Sequence, residues 1–251
     1  SAHTAPYAKS AHNSRLTKFA FTLAETLVVM GIIGVVAALT IPNLNQSTGD
    51  REKVAKVKKI YSNLEDALGR TTAVYGPINE WGGDIYDITR TSERIIEFMK
   101  ISKTCGIATG CFSDKPFISG TGLILDSNKY TDKLINDKTY MVITADGTSI
   151  GFCYRDFDVT MLSIRVDIDG PNKGKNQAGS DLFDFTYVID DDSEIQQTGV
   201  LYPSFNPDSW TGDFDDDGIS SYSTAWIIKN GNMDYLKCPY DLNWETKTSC
   251  K

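Results

Sequence analysis

From Phe21 to Ile41 the chain reads FTLAETLVVMGIIGVVAALTI, apolar at almost every position, with Glu25 as its single charged residue. As a helix rising about 1.5 Å per residue, this run is roughly 31 Å long, which matches the hydrocarbon core of a bilayer. Residues 1–20 hold Lys9, Arg15 and Lys18 and no acid. Such a flank stays cytoplasmic, so whatever follows Pro42 is expected to be exported. The run is long for a secretory signal, and it passes into IPNLNQ rather than into a small-residue cleavage site. An acid inside a span costs about 2.5–3.5 kcal/mol on insertion scales. Glu25 is therefore expected either to meet a partner or to lie shallow enough to reach the interface.

Charge and histidine content narrow the function. The chain carries −8 overall; with the three cations of residues 1–20 set aside, 22 basic residues stand against 33 acids, giving −11 for residues 21–251. A body this acidic argues against direct nucleic-acid binding, which needs basic patches. It is compatible with divalent cations. Both histidines, His3 and His12, precede the apolar run. Residues 21–251 thus hold no Ser-His-Asp or Cys-His pair and no histidine ligand for zinc.

The five cysteines are Cys105, Cys111, Cys153, Cys238 and Cys250, and none forms the C-x-x-C spacing of zinc or thioredoxin sites. Cys105 and Cys111 flank a short Gly/Thr loop, and Cys238 and Cys250 bracket the last segment. Two local disulfides are expected, which requires an oxidising compartment. Cys153 is left over as a buried thiol in a predicted strand.

The string KFAFTLAETLVVMGIIGVVAALTIP resembles the N-terminus of type IV prepilins and of type II secretion pseudopilins. Its parts are a basic leader ending in Lys18, small Ala20, Phe21-Thr22-Leu23-Ala24-Glu25, the apolar run and Pro42. In the family the residue before the cut is most often Gly, and here it is Ala20. The resemblance implies a leader over 1–20, cleavage between Ala20 and Phe21 by a prepilin peptidase, and methylation of the new amine. It also implies that Glu25 meets the N-terminal amine of a neighbouring subunit during assembly. That pairing has a physical logic, because two buried charges offset each other's desolvation only when they meet. Gly31, Gly34, Ala37 and Ala38 read equally as a close-packing patch and as ordinary membrane-helix composition.

The expected fold is α+β and pilin-like. Residues 21–42 form the membrane and filament-core helix, which Pro42 is expected to kink or loosen. Residues 43–76 form an amphipathic spine. Val54, Val57, Ile60, Tyr61, Leu64, Ala67 and Leu68 share one face, and Lys53, Lys56, Lys59 and Glu65 the other. Gly76-Pro77 ends this helix. Residues 77–251 form a globular antiparallel β head laid on the spine. It begins with a short helix over 91–101 and turns to strands from about 117. An Asp146-Gly147 hairpin lies within it. Residues 161–169 alternate, with Leu162, Ile164, Val166 and Ile168 on one face and Ser163, Arg165, Asp167 and Asp169 on the other, and residues 182–189 are the partner strand.

Asp213-x-Asp215-x-Asp217-Gly218 matches the first half of a calcium loop, with Ile219 offering a carbonyl and Ser221 a hydroxyl or a bound water. Thr224 stands where an EF-hand has its bidentate Glu, so a looser calcium loop is one reading and a solvated acidic turn the other. The loop of Asp167, Asp169 and Asp181 is a weaker second candidate, similar to the Gly/Asp-rich calcium loop of some secretion pseudopilins. The leading functional expectation is a structural subunit, not an enzyme. Its partners would be like subunits, the prepilin peptidase and methyltransferase, and the inner-membrane assembly platform. Its head would sit in the periplasm and later on an extracytoplasmic filament. The alternative is a filament-displayed or membrane-tethered, adhesin-like binding module that uses Trp81, Trp210, Trp226 and Trp244, residues that read more simply as core aromatics. A signal-anchored enzyme is the third reading, and the lack of histidine and of a nucleophile motif counts against it.

Overall fold

Helix α1 spans Leu23–Tyr75, so Pro42 lies within its bounds and does not end it. The computed structural model describes residues 23–81, 87–120, 122–123, 139–156, 159–191, 197–203 and 216–250, apart from the side chains of 37–47, 156, 159, 191, 216–218, 220 and 221. The chain falls into two compact units, Ser1–Ser47 and Thr48–Lys251. In the first, the described side chains are those of Leu23 to Val36, and all are exposed. Among the described residues no helix is long and apolar enough to cross a membrane. Leu23–Val36 alone is shorter than the roughly 20 residues a crossing needs.

In the second unit, Val54, Val57, Ile60, Leu64, Ala67 and Leu68 are buried as the periodicity predicts, and Tyr61 packs against them. The helix ends at Tyr75, and the Gly76 N–H bonds back to Thr72 O at 3.0 Å. Helix α2 covers Ile88–Ile96, starting earlier than the expected 91–101. The cause is Asp87, whose carboxylate accepts the Thr89 and Arg90 N–H groups and so caps the first turn.

Among the described residues six strands follow: β1 Ile101–Gly106, β2 Tyr140–Thr144, β3 Ser149–Asp156, β4 Val159–Asp167, β5 Leu182–Asp191 and β6 Leu201–Tyr202. They form one sheet in sequence order, antiparallel at every pairing. The expectation of strands only from about 117 missed β1. Asp146-Gly147 turns β2 into β3, with Gly147 at φ +84°, a conformation that costs glycine little. Ile164 pairs with Phe185 and Val166 with Phe183. All four point into a core that also holds Leu64, Phe152 and Trp226, and Tyr61 stacks on Phe185 at 5.9 Å.

The other face of β4 is covered too, since Ser163 and Asp167 are also buried. The head also gains a helix, α3, over Asp216–Asn230. Its Thr224 hydroxyl accepts the Asp184 N–H at 3.2 Å, which covers part of the β5 edge. Short 3-10 turns at Asp234–Leu236 and Pro239–Asp241 complete the chain before the C-terminal segment.

Candidate functional site

The stretch with the clearest unmet physical need is the start of α1. Glu25 lies in its first turn and is exposed. Around it stand Leu23, Leu27, Val28, Val29, Met30, Ile32, Ile33, Val35 and Val36, between 52% and 81% exposed. Four of these, Leu27 to Met30, are consecutive. Successive residues are 100° apart on a helix, so apolar surface runs round the whole cylinder and not along one stripe. A Cβ added at Gly31 or Gly34 would meet no atom within 4 Å. Exposed apolar surface on this scale is covered in a working protein by lipid or by other protein. Ala20 and Phe21, the expected processing pair, lie outside the described residues.

The acidic sites have a different look. Asp213 and Asp215 lie outside the described residues, as do the side chains of Asp217 and Ser221. Ile219 lies inside α3 with its side chain buried. Its carbonyl therefore has the next helical turn to serve. In the loop between β4 and β5 the carboxylates are spent on the chain itself. Asp181 accepts the N–H groups of Lys175, Asn176 and Gln177 at 2.5–2.8 Å, and Asp167 those of Asp169 and Gly170 at 3.0 Å. Burial pushes the Asp167 carboxyl up to about 7, the backbone donors oppose this, and the charges of Asp181 and Asp169 add to it. Among the described residues no group of three or more His, Cys, Asp or Glu is placed to hold a metal ion.

The lysines predicted for the open face of the spine are in fact tethers. Lys53 donates to Ser180 O at 2.9 Å, Lys56 to Ile168 O, and Lys59 to the Asp146 carboxylate at 3.0 Å. Periodicity placed them opposite the core but could not show that loops from the sheet rise to meet them. A cleft of about 350 Å³ lies beside this row, with Ile60, Phe98 and Lys100 among its lining. Its rim cations Lys59 and Arg70 are paired with Asp146 and Asp66.

The disulfides are as expected, Cys105–Cys111 and Cys238–Cys250. Cys153 is free, and burial pushes its thiol up despite Arg155 and Arg165 nearby, so it is a poor nucleophile. Trp226 is fully buried and Trp81 and Trp244 pack against the core, as core aromatics do, while Trp210 lies outside the described residues. Helix α3 was missed although its signal was in the sequence: Ile219, Tyr222, Trp226 and Ile227 recur at helical spacing, but the Asp-rich string before them drew the reading toward a loop. In comparisons with known proteins, no protein family, no curated protein and no solved structure matches this chain.

Proposed function

We propose that the chain is a prepilin-like structural subunit. It is cut before Phe21, held in the inner membrane by residues 21–42, and polymerised through that helix into a type IV pilus or a secretion or competence pseudopilus. The observation that carries this reading is the start of α1, where apolar side chains are exposed all round a helix with one acid, Glu25, in its first turn. In lipid, and then among neighbouring helices, this surface is covered and Glu25 gains an amine partner. The head has what an exported domain needs, a closed core and two disulfides. A calcium ion at Asp213, Asp215 and Asp217 belongs to the same proposal. A melting temperature unchanged by millimolar calcium removes that ion from it.

The test is intact-mass and N-terminal analysis of the chain coexpressed with a prepilin peptidase. The expected product starts at Phe21 and is one methyl heavier than the bare cut chain. An uncut chain still carrying residues 1–20 makes the segment a plain signal anchor and ends the proposal.

A further inference from the structure

Three segments of the second unit meet around the cleft of about 350 Å³, and every residue that lines it belongs to that unit. Helix α1 gives one wall, the stretch between α2 and β1 a second, and the β2–β3 turn the third. The apolar part of the lining is fixed from behind. Ile60 and Ile150 are buried members of the core, and Phe98 and Met99 are half-buried against it. The Arg70 guanidinium lies over the Phe98 ring, 5.2 Å from its centroid. The backbone of Lys100 is held as well, because its carbonyl accepts the Ala145 N–H at 2.8 Å. An engineered cavity of about 150 Å³ takes a benzene, and this cleft is roughly twice as large, room for a ring and a short chain.

The polar groups of the lining divide by whether their bonds are already made. Lys59 is paired with Asp146 at 3.0 Å, and Asp146 also accepts the Thr144 hydroxyl at 2.6 Å. Arg70 is paired with Asp66, one helical turn away, at 3.5 Å. Both acids of the lining therefore have a cation already, and Lys100 is the third cation against two acids. Lys100 and Asn63 are exposed, and neither side chain has a hydrogen bond or ion pair among the described residues. The Asn63 amide both donates and accepts, so it does not choose a charge; the Lys100 ammonium only donates, and it does. A cationic guest would find both acids spent and Lys100 repelling it. An anionic guest would find Lys100 unspent.

We propose that this cleft binds a small organic acid, whose apolar body lies on Phe98, Met99, Ile60 and Ile150 and whose anionic end meets Lys100. Apolar walls with a few placed polar groups are the usual make-up of a ligand site, and a volume above about 300 Å³ is enough for a small one. The two parts of the guest contribute differently. An ion pair at an exposed lysine is screened by water and is worth little, so contact with the apolar walls carries most of the affinity and Lys100 selects the charge. Binding is accordingly weak, and it falls further as salt is added. The site lies wholly in the head, so it is the same before and after any cut at Phe21.

The test is a methyl NMR titration of the full chain in a non-ionic detergent, with three probes of one shape: phenylpropionate, phenylpropanol and phenylpropylamine. Phenylpropionate at millimolar concentration is expected to shift the methyls of Ile60, Met99 and Ile150 saturably, and to bind more tightly than the alcohol or the amine. Lys100→Met should weaken its binding about fivefold, the upper reach of an exposed ion pair, to the level of the alcohol. Lys100→Arg should keep the preference for the acid. Lys100 is exposed, so both variants are expected to fold, and methyls remote from the cleft report on that. If the three probes bind alike, or if Lys100→Met binds phenylpropionate as the wild type does, the cleft does not select an anion and the proposal is overturned. If no methyl of the cleft moves, or only those of Leu27 and Val28 do, the acid goes to the micelle and not to the head, and that too overturns it.

Discussion

Between Leu23 and Val36, α1 exposes large apolar side chains all round its axis; between Val54 and Leu68, its apolar positions are confined to one face and buried there. The polar face of the second stretch is also finished by its own chain, because Lys53, Lys56 and Lys59 each end on an oxygen of the sheet's loops. The contrast separates two kinds of helix surface. The second stretch is complete within one molecule. On the proposed reading the first is completed by lipid or by neighbouring copies, and Glu25 would then be the group whose placement selects a partner.

The sharpest way to break this comparison is Glu25→Ala. Insertion should persist, since the change removes a charge from an apolar run. Assembly should fail, because stripping one member of a buried ion pair leaves the other uncompensated at a cost of about 3–5 kcal/mol, repeated at every subunit contact. Membrane fractionation and electron microscopy of shed filaments read the two effects separately. Normal filaments from this variant would remove Glu25 from assembly.

A matched pair of leucines sharpens the same contrast. Leu64 is fully buried in the head core, whereas Leu27 is 63% exposed. Leu64→Ala should lower the head's unfolding free energy by about 2–5 kcal/mol. Leu27→Ala should leave that melting unchanged and weaken filament yield instead. Denaturant unfolding of the full chain in detergent measures the first, and pilus shearing assays the second. Equal losses of head stability would mean that the first stretch is also part of a folded core.

How far the sequence could be read follows the same division. The buried face of the spine was legible because burial on one side of a helix leaves a 3.6-residue period, and Val57, Ile60 and Leu64 obey it. The β2–β3 hairpin was legible because Asp146-Gly147 is turn chemistry with a conformational reason. The β4–β5 pairing was legible because both strands alternate. What could not be read was tertiary. The lysines of α1 finding carbonyls depend on which segments meet, and no local pattern records that; the Asp87 cap, by contrast, lies two and three residues from its donors and was a local signal left unread. Helix α3 was legible but eclipsed, because acids just before a helix read as readily as a loop. Strand β1 was hidden because its exposed Ser102, Lys103 and Thr104 leave no apolar alternation. At the start of α1, sequence and structure supply the same two facts, an apolar run and one acid.

The disulfides should reinforce the second region alone. Both lie in the unit Thr48–Lys251. The chain-entropy account gives about 2 kcal/mol for a loop the size of Cys105–Cys111 and about 3 kcal/mol for the longer Cys238–Cys250 loop. Reduction should therefore lower the head's melting temperature, with Cys238→Ser together with Cys250→Ser costing more than the other pair. An inverted order would show that strain or denatured-state structure, rather than loop closure, sets their worth.

The smallest expected effect tests whether the lysine row contributes by charge or by the loops it meets. Lys59 and Asp146 pair at 3.0 Å, but their side chains are 61% and 37% exposed. Burial alone would raise the Asp146 carboxyl, yet hydrogen bonds from Thr144 and Lys59 outweigh it and hold the group down at about 2. A depressed folded value means that this contribution is present above the unfolded value near pH 4 and is lost as pH falls through about 2. Solvent screening limits the pair itself, so Lys59→Met should cost only about 0–1 kcal/mol at neutral pH. Asp146→Ala should cost more, because Asp146 also accepts the Thr144 hydroxyl at 2.6 Å inside the β2–β3 turn, and that bond is lost with it. Urea midpoints of the two variants, taken at low and at high salt, separate the terms. If salt erases the Lys59→Met effect but not the Asp146→Ala effect, the turn holds the lysine's partner in place and the ion pair is incidental to it. If the two variants fall together and both vanish in salt, the tether works by charge, and this end of the spine is held more weakly than its hydrogen-bond geometry suggests.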